Sequence, residues 1–215
     1  GYDSPGSNIL KVSGGIVVDG NTNSTDGDFN LPLNHGQDAY LVKYNMAGNI
    51  VWKHTYGGSG DDYFVWASST SDGGFIAIGS TTSNDGDVSG NHGDEDVWVV
   101  KLNSVGAIQW QHCYGGTGTD EGRQIVQTNY GYVFVGTGNS TDGNFTNNLG
   151  DFDAWFVKLS PTGNVLFQKN FGSSRSEHFN NIITNTDGSG IIAGGTENID
   201  GVADAWVLKL SATGN

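Results

Sequence analysis

Short apolar runs, four to eight residues long, recur along the chain between stretches of Gly, Asn, Asp, Ser and Thr. Runs such as Phe75-Ile76-Ala77-Ile78 and Val97-Trp98-Val99-Val100 are rich in β-branched and aromatic residues, and no window sustains a 3.6-residue period. Runs of that length and composition, bounded by turn residues, predict strands and almost no helix.

The runs repeat in step. An apolar run closing on glycine places Gly20, Gly79, Gly136 and Gly194 at spacings of 59, 57 and 58 residues. A second anchor is Asp, a small residue, an aromatic, two apolar residues and Lys. It reads Asp38-Ala39-Tyr40-Leu41-Val42-Lys43, Asp96-Val97-Trp98-Val99-Val100-Lys101, Asp153-Ala154-Trp155-Phe156-Val157-Lys158 and Asp204-Ala205-Trp206-Val207-Leu208-Lys209. A third anchor, Ile50 to Gly58, matches Ile108 to Gly116 and, loosely, Val165 to Ser173. Each repeat therefore contains four short strands, the first beginning near pairs such as Asp61-Asp62. The Asp72-Gly73 dipeptide predicts a tight hairpin, because a two-residue type I′ turn needs positive φ at both central positions.

Four antiparallel strands in a repeated unit of this size are the sequence signature of propeller blades. The expected fold is thus all-β, a β-propeller of about four blades in a single repeat domain spanning 1–215. Its blades cover about 1–58, 59–116, 117–173 and 174–215, and the last lacks its fourth strand, so fifteen strands are readable. Tyr40, Trp98, Trp155 and Trp206 fall at one position of each repeat and are expected to fill the core between blades. An arc with a strand missing exposes apolar faces and edges. The expectation is therefore a piece of a longer propeller, or a ring completed by another copy.

Composition narrows the picture. Gly is 35 of the 215 residues, but six Trp and the apolar runs supply a core, so glycine reads as turn punctuation rather than disorder. Acidic residues outnumber basic ones 23 to 9, a net charge of −14. That balance disfavours nucleic acid and anionic membranes as partners. Cys113 is the only cysteine, so no disulfide forms within the chain. No apolar run reaches membrane-spanning length, which argues against membrane insertion.

The run Tyr114-Gly115-Gly116-Thr117-Gly118-Thr119-Asp120-Glu121, followed by Gly136-Thr137-Gly138-Asn139-Ser140-Thr141-Asp142-Gly143 and Asp153 to Leu159, resembles the β-propeller repeats of secreted and cell-surface proteins of Bacteroidetes. The resemblance covers nearly the whole chain. It implies an extracellular or outer-surface location, export associated with type IX secretion, and a role beside adhesion modules.

Candidate chemistry sits in the loops. Ser83-Asn84-Asp85-Gly86-Asp87 and the later Asp94 and Asp96 are spaced so that oxygen ligands could wrap Ca²⁺. The competing reading is turn chemistry, in which Asp and Asn accept from nearby backbone N–H groups. The fourth such loop, Asn198 to Gly201, is shortened before Asp204. Asp38, Asp96, Asp153 and Asp204 recur in every repeat, as scaffold residues demand. Lys43, Lys101, Lys158 and Lys209 are expected to pair with acids of a neighbouring blade. His54 and His112 match one another across repeats, as do His35 and His92 in Asn-His-Gly turns, and equivalent positions are too far apart to share a zinc. Phe29, Phe145 and Phe152 lie in loops, where exposed rings would stack on sugars. Arg123, Arg175, Glu177 and His178 have no counterparts in the other repeats.

No Ser-His-Asp, G-x-S-x-G, P-loop or H-E-x-x-H pattern is present. The expected function is a non-enzymatic extracellular binding or scaffold module, with a protein or glycan at the cell surface as partner. No cofactor is required, and Ca²⁺ is the ion that the acidic loops would suit. A carbohydrate-binding propeller and a propeller fragment of a polysaccharide-degrading enzyme are the alternatives.

Overall fold

The computed structural model describes residues 1–27, 29, 36–185, 189–197 and 203–211. These form fifteen strands and, among the described residues, no helix. The first sheet holds β1 (Asp3–Val12), β2 (Gly15–Thr22), β3 (Asp38–Asn45) and β4 (Ile50–Tyr56). The second holds β5 (Asp62–Ser69), β6 (Phe75–Thr81), β7 (Asp96–Leu102) and β8 (Ile108–Tyr114). The third holds β9 (Asp120–Thr128), β10 (Gly131–Gly138), β11 (Asp153–Leu159) and β12 (Val165–Phe171). The fourth holds β13 (Glu177–Thr184), β14 (Gly190–Glu197) and β15 (Ala203–Leu210). Within each sheet the strands lie side by side in chain order.

The burial of each strand follows its place in the sheet. The inner strands β6, β7 and β10 are buried at every residue, as their continuous apolar runs require when both faces are covered. The outer strands β4 and β12 leave most of their residues partly or fully exposed.

The chain divides into two compact units. The first contains residues 1–91 and 98–113, the second 92–97 and 114–215. In the first, β5 packs across β1, β2 and β3, and one core gathers Val17, Leu41, Phe64, Phe75, Trp98 and Leu102 from the two sheets. In the second, β13 packs across β9, β10 and β11, over a core that includes Val133, Phe156, Phe179 and Ile192.

These findings correct the propeller expectation. The repeats fold as four separate open sheets, none closed or curled, within two units. A propeller of four blades, a larger propeller and a ring completed by another copy are all set aside. The reason is physical. A 58-residue period and alternating strands dictate four-stranded antiparallel sheets, but they carry no information on whether successive sheets tilt into a closed ring.

A recurring irregularity explains the glycine anchor. Between β9 and β10 the register steps from Val135 opposite Gln124 to Gly136 opposite Gly122, which leaves Arg123 as an extra residue. The same step leaves Val65 unpaired in β5 and Asn180 unpaired in β13. Each bulge drives a carbonyl against the glycine on the next strand. A Cβ at Gly79 would lie 1.7 Å from the Tyr63 oxygen, at Gly136 2.2 Å from that of Glu121, and at Gly194 2.1 Å from that of His178. Only a residue without a side chain fits beside such a bulge.

Two local expectations are also corrected. The β5–β6 connection is a five-residue loop, Thr70–Gly74, with Gly73 at φ 82°, rather than a two-residue turn. Asp72 organises it by accepting from the Gly74 N–H at 3.0 Å and the Thr70 hydroxyl at 2.5 Å. And Lys101 pairs with Asp72 of its own sheet, at 2.8 Å, not with an acid of a neighbouring repeat. Its buried ammonium also reaches the Leu102 carbonyl and the Gln109 side-chain oxygen, each at 2.9 Å.

Candidate functional site

The acidic residues that head the sheets are held by hydroxyl groups. Asp62, at the start of β5, is fully buried. Its carboxylate accepts from the Thr81 hydroxyl, from Ser83 Oγ at 2.8 Å and from the Gly58 N–H at 2.7 Å. Asp120, at the start of β9, repeats this with Ser140 Oγ at 2.5 Å and the Gly116 N–H at 3.0 Å. There Gly138 stands where the second sheet has Thr81, and Oδ1 of Asp120 has no hydrogen-bond partner among the described residues. Burial pushes the Asp120 carboxyl up to about 6, against the bonds from Ser140 and Gly116 that favour the anion. Glu177 plays the corresponding part in β13, accepting from the Ser173 N–H at 2.9 Å and Ser173 Oγ at 2.5 Å.

The four proposed Ca²⁺ ligands do not stand alone as a carboxylate cage. Asp85 and Asp87 belong to the first unit, Asp94 and Asp96 to the second. Asp85 Oδ1 accepts from the Ser59 N–H at 2.7 Å, and Asp142 does the same for Thr117 at 2.7 Å. Asp87 Oδ2 faces the Gly57 N–H at 3.4 Å, and its own N–H donates to the Gly57 carbonyl at 2.9 Å. In the next repeat Asn144 makes both contacts with Gly115, at 3.3 and 2.8 Å. The position needs an acceptor, not a charge. Burial accordingly raises the Asp87 carboxyl above its ordinary value. Asp94 is exposed. Asp96 is buried, and its Oδ2 accepts from the N–H and the Nδ1 of His92, at 3.0 and 2.6 Å. Burial raises its carboxyl as well, in spite of the two His92 bonds. Among the described residues no group of three or more His, Cys, Asp or Glu side chains converges on a point where a metal ion would sit.

The recurrent Asp and Tyr residues have equally local duties. Asp153 Oδ2 accepts from the Leu149 N–H at 2.9 Å and Asn170 Nδ2 at 2.7 Å. Tyr56 donates to the Gly106 carbonyl at 2.7 Å and Tyr114 to that of Gly163 at 2.5 Å. His54 Nε2 lies 3.0 Å from the Val105 carbonyl. His35 and the loop from Asn198 to Gly201 lie outside the described residues.

The three phenylalanines chosen as sugar platforms part company. Phe145 is 1 % exposed and stacks on Trp155 with centroids 4.4 Å apart, so it is a core ring and no platform. Phe29 is half-buried, stacked on Tyr40 at 4.6 Å with the Lys53 ammonium 5.9 Å from its centroid. Phe152 is half-buried and bridges by its backbone to Ser176.

Phe152 also lines a cavity of about 340 Å³ in the second unit, together with Glu121, Arg123, Thr137, Ser176, Glu177, His178 and Asn180. Arg123 and His178, which have no counterpart in the other repeats, meet here; Glu177, expected to be a third such residue, instead stands at the repeat position of Asp62 and Asp120. Arg123 Nη2 donates to Glu121 Oε2, while the buried Nε has no partner among the described residues. The chain pattern flagged Arg123 as unique. It could not place Asn180 opposite it, because the bulges that carry both residues are invisible in the strand alternation.

No family model matches the chain. It is 28 % identical over 208 residues to regulatory protein FlaEY of Caulobacter vibrioides, an alignment covering 90 % of the chain. The chain spans about a fifth of that relative, 21 % of its length. This replaces the resemblance to Bacteroidetes surface propellers. No link to that group or to type IX secretion is shown, and the fold that the resemblance implied is not the one formed. No helix among the described residues is long and apolar enough to cross a membrane.

Proposed function

We propose that this chain is a non-catalytic interaction module of a larger protein, and that its outer strands are the surfaces that meet a protein partner. The observation that carries the reading is on those strands. β4 and β12 lie at sheet edges, and both expose apolar side chains at the same repeat position. Ile50 and Val51 are 45 % and 53 % exposed, and Val165 and Leu166 are 36 % and 62 %. An exposed strand edge with apolar side chains invites pairing with another chain. Several recurrent polar groups support a non-catalytic role, since they serve internal bonds that recur between repeats: the acids heading β5, β9 and β13 accept from a backbone N–H four residues earlier and from a serine hydroxyl, and Tyr56 and Tyr114 donate to turn carbonyls. Similarity to a protein named as regulatory fits an interaction module, and the acid-rich surface suits an extracytoplasmic setting.

The test is site-specific photocrosslinking in the producing cell, with the probe at Ile50 or Val165, the exposed neighbours of Val51 and Leu166. One discrete, saturable adduct is expected, lost on Leu166→Lys or Val51→Lys while the melting temperature holds. Adducts that survive both substitutions would overturn the reading. Protease accessibility of the same tagged protein in intact cells decides the extracytoplasmic placement.

A further inference from the structure

The cavity of the second unit brings together two side chains that the sheets themselves set free. Arg123 and Asn180 are the extra residues of the β9 and β13 bulges, outside the regular strand ladder. Bulges re-aim side chains, and they are common beside functional sites. Because β13 packs across β9, both bulges open onto one cleft. The bulge of the second sheet carries Val65 instead, so the polar pair belongs to this unit alone among the three described bulges of this kind.

The lining chemistry narrows the ligand. Arg123 is already paired with Glu121, so the cleft offers no uncompensated cation to attract a phosphate or carboxylate, and the chain as a whole carries −14. A metal ion is disfavoured by the guanidinium. A wholly apolar ligand would leave Arg123 Nε, Asn180 and Ser176 unsatisfied. The Glu177 carboxylate is turned to Ser173. What remains is a wall of donors and acceptors, from the Arg123–Glu121 pair, Asn180 and His178, with Phe152 beside them. Adjacent hydroxyls of a sugar both donate and accept, and its C–H face packs on an aromatic ring. The volume of about 340 Å³ falls at the lower end of the ~300–1,000 Å³ range of small-ligand sites.

We propose that the cleft between β9, β10 and β13, with Arg123 and Asn180 on its bulges and Phe152 on its wall, is a binding site for a neutral mono- or disaccharide unit. The inference is independent of the edge-strand reading, since it uses another surface and would stand if no protein partner bound.

The experiment is a glycan array of neutral, uronic and sialylated oligosaccharides probed with the labelled 215-residue chain. It is followed by saturation-transfer NMR and titration with the best neutral glycan. Binding to neutral glycans is expected, and Asn180→Ala or Arg123→Gln is expected to weaken it by about tenfold or more, the scale of losing a hydrogen bond to a bound polar ligand. Asn180 is exposed, so its substitution leaves the fold intact, and the melting temperature verifies this for both variants. Val65→Ala, at the matching bulge of the other unit, leaves affinity unchanged. Three results overturn the proposal: no glycan bound, binding confined to anionic glycans, or binding to neutral glycans that both Asn180→Ala and Arg123→Gln leave untouched.

Discussion

Thr81→Val tests the hydroxyl network at the head of the second sheet. Valine matches threonine in shape, so packing is preserved and only the hydroxyl is lost. That hydroxyl has two jobs. It donates to Asp62 Oδ1, and its oxygen accepts from the Ser83 N–H at 3.0 Å. Thr81 and Asp62 are both fully buried, so water replaces neither bond. A hydrogen bond to a charged group contributes about 1.5–3 kcal/mol, and a buried N–H left without an acceptor costs about 1–3 kcal/mol. The two are not independent, and a loss of about 3 kcal/mol is expected. Urea unfolding followed by tryptophan fluorescence measures it, with the midpoint shifting at constant slope. Thermally, about 3 kcal/mol corresponds to roughly 6–12 °C if the whole chain unfolds together, and about twice that if the first unit unfolds by itself. Two controls separate the mechanism from general damage. Thr81→Ser keeps the hydroxyl and should cost no more than about 1 kcal/mol, the value of a methyl group. Thr22→Val removes the same two bonds, to Asp3 and to the Ser24 N–H at 3.0 Å, but Asp3 is exposed and water can solvate it. Its cost should be clearly smaller. Equal losses for Thr22→Val and Thr81→Val, or a Thr81→Val protein as stable as the parent, would refute the account.

Two further outcomes follow from the buried carboxyls. Burial raises Asp19 and Asp120 to about 6 each, so between pH 4 and 6 the folded state holds protons that the unfolded chain has released. Their stabilising contribution is full below the unfolded value near 3.8 and is lost as pH rises through 6, by about 3 kcal/mol per group at most. Stability should therefore rise as pH is lowered from 7.5 to 5, and Asp120→Asn should flatten the profile. A profile that falls over this interval counts against it. Asp72 and Asp3, whose carboxyls are held low by Lys101 and by Thr22 and Ser24 respectively, act the other way at more acid pH. For the acidic loop, Asp87→Asn should leave the melting temperature unchanged or slightly raised, because Asn144 already does the same work, and added chelator should shift neither protein. A chelator-sensitive midpoint in the parent that disappears in Asp87→Asn would make Asp87 a Ca²⁺ ligand.

Much of the fold is legible in the sequence because strands, turns and sheet order are local. The four runs from Asp38, Asp96, Asp153 and Asp204 become the third strand of each sheet, and the absent sixteenth strand leaves the fourth sheet with three among the described residues. Ring closure is not local, and that expectation failed. The partner of Lys101 is not legible, because Asp72 sits in a turn 29 residues earlier that sequence order does not place beside it. Phe145 looked like a loop aromatic, since nothing in its neighbourhood signals that the loop folds back onto Trp155. The cleft is half legible: Arg123 and His178 stand out as unrepeated, but their convergence depends on bulges and on β13 crossing β9.

The bulge is what reconciles a repetitive scaffold with one unrepeated site. A residue in a regular ladder is committed twice, its backbone to two neighbours and its side chain to one face, so changing it disturbs the sheet. The bulge residue is released from the cross-strand register while the glycine opposite absorbs the displaced carbonyl. Gly79, Gly136 and Gly194 maintain that arrangement in three sheets, and so the adjacent position can vary without altering the fold. It holds Val65 in one sheet, Arg123 in the next and Asn180 in the last. The recurring glycine, which carries no chemistry of its own, is thus the reason the second unit can present an arginine and an amide across a single cleft.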